Sequence, residues 1–245
     1  MKDNFSRGSD LYARYRPGYP KELFDLILGF VSEKKLAWDC GTGNGQSAAA
    51  LSDHFEKIFA TDISQQQLDN AIKKDNIVYA LEPAEHTGLA AHSVDLITVA
   101  QAIHWFCFDE FYAEVRRVAK PGAVIAVWTY SLLKVSAEID AIIEDHHFNR
   151  LGKYWDPERK YVDEGYANIP FPFSPIQTPV FKIEPDWSLS DLEGYLNTWS
   201  ALQKFIAVNP DNPVKEVMER IAPLWGNREK RRIVFPVHLK LGIIE

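Results

Sequence analysis

The residues whose types and spacing most clearly indicate a chemical role form a glycine-rich turn at residues 39–45, which reads Asp-Cys-Gly-Thr-Gly-Asn-Gly. The turn follows a short apolar run at residues 36–40 and precedes a helix-like stretch that starts near Gln46. Closely spaced glycines let a backbone turn sharply and approach a ligand without Cβ clashes. In an α/β protein such a ligand lies at the carboxyl ends of the strands. The glycines alone are also compatible with a tight loop that binds nothing.

A carboxylate partner for this turn is Asp62, which ends the next apolar run at residues 57–62. An ionised carboxylate there can accept hydrogen bonds from both hydroxyls of a ribose, and each hydrogen bond to a charged group contributes about 1.5–3 kcal/mol. The turn and Asp62 together predict a nucleoside-binding site. A dinucleotide fingerprint requires a third glycine where this chain has Gln46. Spacing alone leaves NAD and an adenosyl cofactor both open.

The elements that must position these residues alternate short apolar runs with helix-like segments, which predicts a parallel sheet covered by helices. Strands are expected at residues 36–40, 57–62, 77–81, 94–100 and 123–128. One helix is expected from Ser64, its N-cap, to about Lys74. Another is expected to begin at an Asp109 cap and to stop at residues 120–122.

Later in the chain, helical patterns occupy residues 135–149 and 189–205. Between them, the prolines of residues 170–179 predict a stretch without regular structure. The final alternating segment, residues 233–242, predicts a strand in which Pro236 indicates an edge position or a bulge.

Length and composition fit one soluble globular domain, since the 245 residues are 46% hydrophobic and 25% charged. The net charge of −7 argues against a protein that mainly binds nucleic acid or an anionic membrane. Cys40 and Cys107 do not make a disulfide framework, which favours a reducing compartment. The chain has no apolar run near the ~20 residues of a membrane span, and its first residues lack a secretory signal pattern. A cytoplasmic protein is therefore expected.

Five segments, taken in order along the chain, resemble the class I S-adenosylmethionine-dependent methyltransferases: residues 39–45, 62–64, 84–85, 94–96 and 117–122. Residues 12–20, 101–106, 161–166 and 196–200 are similar to the small-molecule branch that includes trans-aconitate methyltransferase-like proteins. The resemblance implies a Rossmann-like, mostly parallel seven-stranded sheet with helices on both faces, and S-adenosylmethionine as cofactor. A nucleotide-dependent oxidoreductase and a non-catalytic S-adenosylmethionine-binding protein are the alternatives.

This resemblance also implies cofactor contacts. Asp39 would orient the glycine turn and help receive the cofactor's amino group, Asp62 would hold the ribose hydroxyls, and Glu85 would contact the adenine amino edge. Gln101 and Ala102 would line the methionine end near the transferable methyl. The full expected set is Asp39, Gly41, Thr42, Gly43, Gly45, Asp62, Ile63, Ala84, Glu85, Gln101 and Ala102. One departure is that Glu85 is followed by His-Thr-Gly at residues 86–88 rather than by the family's more usual acidic or leucine-containing stretch.

For the methyl acceptor, we expect a small molecule with a carboxylate or another oxygen nucleophile, and no nucleic acid. His104, on the rim after the fourth strand, is the candidate general base, and the competing interpretation is a histidine that hydrogen-bonds in a packed wall. Trp105 is either a core residue or part of the substrate wall. Tyr12 and Arg16 would lie on one face of a helical arm, where the arginine could clamp a carboxylate of the cofactor or substrate.

The remaining expectations concern boundaries and metal. We expect a single domain over residues 1–245, divided into an N-terminal arm and helix at 1–34, a cofactor-binding core at 35–130, a substrate-covering insert at 131–175, and a C-terminal helix with the last strands at 176–245. Residues 144–147, Glu-Asp-His-His, are interpreted as a solvated helix face, and no metal site is expected.

Overall fold

The structure, a computed structural model, describes Tyr15 and residues 17–245. The helices are α1 Lys21–Gly29, α2 Gln46–Leu51, α3 Gln65–Asp69, α4 Phe108–Val118, α5 Ala137–Glu144, α6 Arg159–Asp163, α7 Leu189–Asn197, α8 Ser200–Ile206 and α9 Val214–Trp225. The strands are β1 Leu36–Cys40, β2 Lys57–Asp62, β3 Ile77–Leu81, β4 Val94–Ala100, β5 Ala119–Tyr130, β6 Ser174–Ile176, β7 Phe181–Ile183, β8 Asp186–Trp187, β9 Arg231–Arg232 and β10 Phe235–Ile243. Short 3-10 turns occupy Ile103–Trp105 and Gly152–Tyr154, and a π-helical turn occupies Asp145–Arg150.

The central sheet has the strand order β3-β2-β1-β4-β5-β10-β6, and β7 also pairs with β10. Strands β1 to β5 are mutually parallel, whereas β10 runs antiparallel to β5, β6 and β7. Because β6 and β7 pair with successive parts of β10, the sheet has seven positions across its width. The expected α/β fold with a mostly parallel sheet is confirmed, but the sheet has eight strands rather than seven, because β6 and β7 share the last position.

Side-chain alternation along the strands explains why helices cover both faces of this sheet. In β5, Ala126 and Trp128 are buried in one apolar cluster, while Ile125 and Val127 are buried in the other. Helix α1 packs in the first cluster and α4 in the second. Burying a side chain of this size contributes about 1.5–3 kcal/mol, so both layers stabilise the sheet.

Several boundaries differ from those expected along the first half. Helix α3 ends at Asp69 rather than near Lys74, because the next residues return to the glycine turn: the Ile72 N–H donates to the Asn44 carbonyl, and Tyr79 Oη donates to the Ile72 carbonyl. The Ser64 cap is confirmed by its contact with the Gln67 N–H. Asp109 is not a cap, since Cys107 holds that position and Asp109 lies in the first turn of α4.

Further differences appear around the prolines and in the later helices. Strand β6 contains Pro175, so the stretch at 170–179 is not wholly irregular, and an edge strand tolerates the missing N–H. Pro236 lies inside the sheet rather than at its edge, and it is tolerated because only its carbonyl is used, by the Ser131 N–H. The pattern at 189–205 is two helices, α7 and α8, and the pattern at 135–149 is α5 followed by the π-helical turn.

Within the described ranges, no helix combines the length and the apolar character needed to cross a membrane. Residues 131–173 connect β5 to β6 and contain α5, the π-helical turn and α6. Below, residues 131–173 are called the covering segment.

Candidate active site

The expected site lies where the strand order reverses direction, between β1 and β4. Strand β1 pairs with β2 on one side and with β4 on the other, so the residues after these three strands meet at one edge of the sheet. A crevice outside the carboxyl ends of parallel strands forms at such a switch point, and ligands bind there.

Three glycines in the turn after β1 have left-handed backbone conformations, with φ of 66° at Gly41, 55° at Gly43 and 80° at Gly45. A Cβ at Gly45 would lie 2.2 Å from Tyr79 Oη, and a Cβ at Gly41 would lie 2.6 Å from the Cβ of Ala102. At Gly43 the nearest atom among the residues that the structure describes, Gln67 Oε1, would be 3.9 Å away. Gly41 and Gly45 are therefore required by the protein's own packing, whereas Gly43 leaves its backbone open to an approaching ligand.

Asp39 links this turn to the neighbouring strand. Its carboxylate accepts hydrogen bonds from Thr42 Oγ1 at 2.5 Å and from Thr98 Oγ1 at 2.7 Å. Burial raises the pKa of Asp39 to about 6, although the hydrogen bonds from Thr42 and Thr98 act in the opposite direction. The hydrogen bonds thus fix the position of the carboxylate, while burial makes its ionised form unfavourable. A cationic partner would stabilise that ionised form.

Asp62 holds the turn from the other side. One carboxylate oxygen accepts the Gly43 N–H and the other accepts the Ser64 N–H, each at 2.9 Å. Both oxygens of Asp62 therefore contribute to the shape of the turn. The sequence pattern indicated a ligand contact at Asp62 but did not reveal that Asp62 also orients Gly43.

Of the two residues expected to contact adenine, Ala84 is buried, and Glu85 Oε1 accepts the Cys107 N–H at 2.9 Å. The unusual residues that follow Glu85 are anchored by α4, because Glu114 accepts from both the N–H and the hydroxyl of Thr87 at 2.7 Å. Arg117 in turn donates to Glu114. Sequence reasoning missed this support, since the pairing of a buried Glu114 with an exposed Arg117 leaves no periodic pattern.

Gln101, directly after β4, has a left-handed backbone with φ of 57° although it is not a glycine. Its Oε1 accepts from Thr129 Oγ1 at 2.6 Å, and its N–H donates to the Trp128 carbonyl at 2.9 Å. Non-glycine residues in this conformation carry strain and concentrate at functional sites. Ala102 follows and packs against Gly41, so the end of β4 meets the glycine turn directly.

His104 and Trp105 lie in the 3-10 turn after Ala102. His104 is only 7% exposed, and its Nδ1 is 2.7 Å from Tyr166 Oη of the covering segment. Burial lowers the pKa of His104 to about 3, with a smaller contribution from the charge of Arg159. His104 is therefore neutral at physiological pH. Trp105 is half-buried, with its ring centroid 4.8 Å from that of His104.

His146 and His147 are not on a solvated helix face, so that interpretation is wrong. Both are buried, and their rings pack on Trp199. The π-helical turn brings two consecutive histidines inward, which a regular helical pattern does not predict. Among Tyr15 and residues 17–245, no group of three or more His, Cys, Asp or Glu side chains is arranged to hold a metal ion.

Tyr12 and Arg16 lie outside the described residues. Their neighbour Tyr15 is described, and a Cβ added at Gly194 of α7 would lie 2.5 Å from its ring. Gly194 therefore provides the space into which Tyr15 packs.

Taken together, the strand order, the glycine turn and the carboxylates after β1 and β2 define an α/β protein with a nucleoside site. A profile of the methyltransferase domain family matches residues 38–127. The chain is 35% identical to a protein from Dictyostelium discoideum assigned as a methyltransferase, over 98% of this chain and 94% of that protein. It is 26% identical to a methyltransferase from Aspergillus candidus, over 93% of this chain and 80% of that protein.

A solved structure from Anaeromyxobacter dehalogenans, of a protein assigned as a type II methyltransferase, is also similar. It has 38% identity and a TM-score of 0.87, with 94% of this chain and 98% of that one covered. The chain belongs to the class I S-adenosylmethionine-dependent methyltransferases. It is an enzyme and its cofactor is S-adenosylmethionine, which removes the oxidoreductase and non-catalytic alternatives.

The residues present fit this cofactor. Gly43 has no described neighbour closer than 3.9 Å to the place of a Cβ, and Asp62, which contacts Gly43, has the carboxylate chemistry that accepts ribose hydroxyls. Asp39 is a buried carboxylate suited to a cationic amino group. The individual contacts of the expected set stay predictions.

Proposed function

We propose that this enzyme transfers methyl to an oxygen nucleophile of a small molecule, as in the branch that includes trans-aconitate methyltransferase-like proteins. The cover over the end of β4 carries the proposal. Tyr166 Oη lies 2.7 Å from His104 Nδ1, and α6 packs against the 3-10 turn. A covered crevice favours a small acceptor over a polymer. The net charge of −7 also disfavours a nucleic-acid acceptor.

In this proposal the protein contributes mainly alignment. When bound, the cofactor supplies a methyl group on a positively charged sulfur. The leaving group is the neutral thioether, so it needs no further activation. Positioning of two reactants can supply about 7–11 kcal/mol of the barrier, so no covalent nucleophile of the protein is required. Gln101 and Ala102 would fix the methionine end for in-line displacement, because the strained backbone at Gln101 and the close packing of Ala102 on Gly41 leave little freedom there.

A base is required only if the acceptor still carries its proton. With its pKa lowered to about 3 by burial, His104 is a weak proton acceptor, and its contact with Tyr166 supports the interpretation as a hydrogen-bonding wall residue. A carboxylate acceptor is already ionised at neutral pH and needs no base. We therefore propose a carboxylate or another readily ionised oxygen as the acceptor, with His104 and Trp105 beside it.

The expected boundaries belong to the same proposal. Residues 35–130 would form the cofactor-binding core, residues 131–175 would cover the substrate, and residues 176–245 would complete the sheet. Tyr12 and Arg16 would contribute from the N-terminal arm. A cytoplasmic location, expected from the composition, is also part of this proposal.

The test is a methyl-transfer screen with labelled S-adenosylmethionine against small carboxylic acids, phenols and amines. We expect turnover of acids, no rate step between pH 5 and 8 that depends on His104, and no binding of NAD by calorimetry. His104→Ala would lower the rate equally at all pH values. A step near pH 6–7 that His104→Ala removes would instead establish His104 as the base, and turnover confined to amines would overturn the oxygen acceptor.

A further inference from the structure

Arg159 places a positive charge beside the turn that follows β4. It begins α6, which packs against Ile103–Trp105, and Val162 of α6 shares a buried cluster with Ile103. The guanidinium is near enough to His104 to contribute, after burial, to the lowering of that pKa. The position of α6 thus brings Arg159 to the rim of the proposed acceptor site.

Two contacts hold the guanidinium in one orientation. Its Nε donates to Asp163 Oδ1 at 2.9 Å, one helical turn away, and its carbon lies 4.6 Å from the centroid of the Trp155 ring. One edge and one face of the planar group are therefore fixed. A guanidinium held in this way loses little conformational entropy when it binds a ligand.

The other edge carries the two terminal nitrogens. Within the part of the chain that the structure describes, neither Nη1 nor Nη2 of Arg159 makes a hydrogen bond, and the side chain is 23% exposed. The paired N–H groups on this edge match the two oxygens of a carboxylate. Lys160, the next residue, differs in that it is exposed and lies over the Tyr161 ring.

The charges around Arg159 favour recognition by geometry rather than by a long-range field. Burial opposes ionisation of Asp163, but the hydrogen bond from His147 and the charge of Arg159 outweigh it and lower its pKa. Burial lowers the pKa of His147, which is 3.3 Å from Asp163 Oδ1. Asp163 thus balances the charge of Arg159 from behind while the terminal nitrogens stay available.

We propose that Arg159 binds a carboxylate of the methyl acceptor, distinct from the group that receives the methyl, and so orients the acceptor at the end of β4. This inference rests on the proposed small-molecule function and adds a specificity-determining residue to it. The acceptor would then carry at least one carboxylate besides its reacting oxygen. The cofactor's own carboxylate is the other source of this chemistry, but Arg159 belongs to the covering segment rather than to the glycine turn.

The experiment compares the wild type with Arg159→Gln and Arg159→Lys, and uses Lys160→Gln as the matched control in the same helix. Initial rates are measured with glutarate, tricarballylate, 4-hydroxybenzoate and their amides. Binding of the same acids to the S-adenosylhomocysteine complex is measured by calorimetry. We expect Arg159→Gln to raise KM for acids by about 10- to 100-fold, with little change in kcat, because a charge-assisted hydrogen-bonded pair is lost. Arg159→Lys should recover part of this loss, and Lys160→Gln should behave as the wild type.

Affinity for S-adenosylmethionine separates the two carboxylate sources. We expect it to stay unchanged in Arg159→Gln, and an equal loss of cofactor and acid affinity would overturn the inference. Methylated acids with an unchanged KM in Arg159→Gln would overturn it while the proposed function stands. Acids that bind the wild type through Arg159 without methyl transfer would support it while the proposed function fails. If the wild type neither binds nor methylates any acid, both are wrong.

Discussion

At the scale of single residues, the glycine turn is held between two carboxylates with different environments. Asp39 is buried and bonded to hydroxyls of Thr42 and Thr98, whereas Asp62 is partly exposed and bonded to backbone N–H groups. The buried carboxylate is the one whose ionisation opposes folding, so a cationic ligand beside it would offset that cost. This difference predicts that cofactor binding depends on pH through Asp39.

The pKa of about 6 at Asp39 gives this dependence its sign. We expect affinity for S-adenosylmethionine to fall as the pH drops through about 6, because protonated Asp39 no longer attracts the cationic amino group. In the cofactor-free enzyme the same group acts oppositely: relative to an unfolded value of 3.8, its raised pKa lowers the free energy of unfolding by about 3 kcal/mol as pH rises from about 4 to 6. Calorimetry across pH 5–8 measures the change in affinity for S-adenosylmethionine.

Asp39→Asn is the corresponding variant. It should bind the cofactor weakly at every pH, with the step near pH 6 gone. A step that persists in Asp39→Asn would assign the titration to another group.

At the scale of elements, the covering segment is joined to the end of β4 by one buried hydrogen bond and by α6. Tyr166 has a left-handed backbone with φ of 61°, and Gly165 before it has φ of 60°, so the chain turns sharply to direct the Tyr166 ring inward. A Cβ at Gly165 would lie 2.8 Å from the His238 ring of β10. The last strand of the sheet therefore constrains a residue that reaches the acceptor side.

Tyr166→Phe removes only the hydroxyl of this contact. We expect it to lower the free energy of unfolding by about 1–3 kcal/mol, because the His104 Nδ1 is left buried without that partner. We also expect kcat/KM for the acceptor to fall several-fold while the cofactor Kd is unchanged. Denaturant unfolding measures the free energy of unfolding, and steady-state rates measure kcat/KM. Tyr161→Phe, in the same segment, is the control, and equal losses in the two variants would contradict the role of the Tyr166 hydroxyl.

How far the sequence predicts these elements depends on whether the signal is local. Apolar runs such as residues 94–100 and 36–40 locate their strands to the residue, because strands buried on both faces are nearly continuous apolar segments. The Tyr166–His104 contact, which joins positions far apart in the chain, could not be predicted from local pattern. The burial of His147 was missed because a π-helical turn changes which residues face inward.

At the scale of the whole molecule, the site joins residues that follow three different strands of the sheet. Residues after β1, β2 and β4 meet at the glycine turn, through Asp39, Asp62 and Ala102. A ligand that binds the folded protein alone stabilises all of these parts at once. The cofactor should therefore act as a global stabiliser.

At a cofactor concentration of about 100 times Kd, the free energy of unfolding rises by about 2.7 kcal/mol. For a chain of this size we expect an increase in Tm of roughly 5–10 °C. Differential scanning fluorimetry with S-adenosylmethionine measures it. Asp62→Ala should abolish the increase, whereas Asp53→Ala, which removes an exposed carboxylate paired with Lys74, should retain it. A full increase in Asp62→Ala would exclude Asp62 from the cofactor site.

The position of β10 has a consequence for the order in which the enzyme is assembled. In the part of the chain that the structure describes, strands β6 and β7 pair only with β10, and β10 comes some fifty residues or more after them in the chain. During synthesis, β1 to β5 can form their parallel pairs as they leave the ribosome, while residues 174–183 wait without a partner. The parallel part of the sheet can therefore form before its antiparallel edge. Insertion of β10, which also brings His238 against Gly165, would be the late event that commits the chain to an active enzyme.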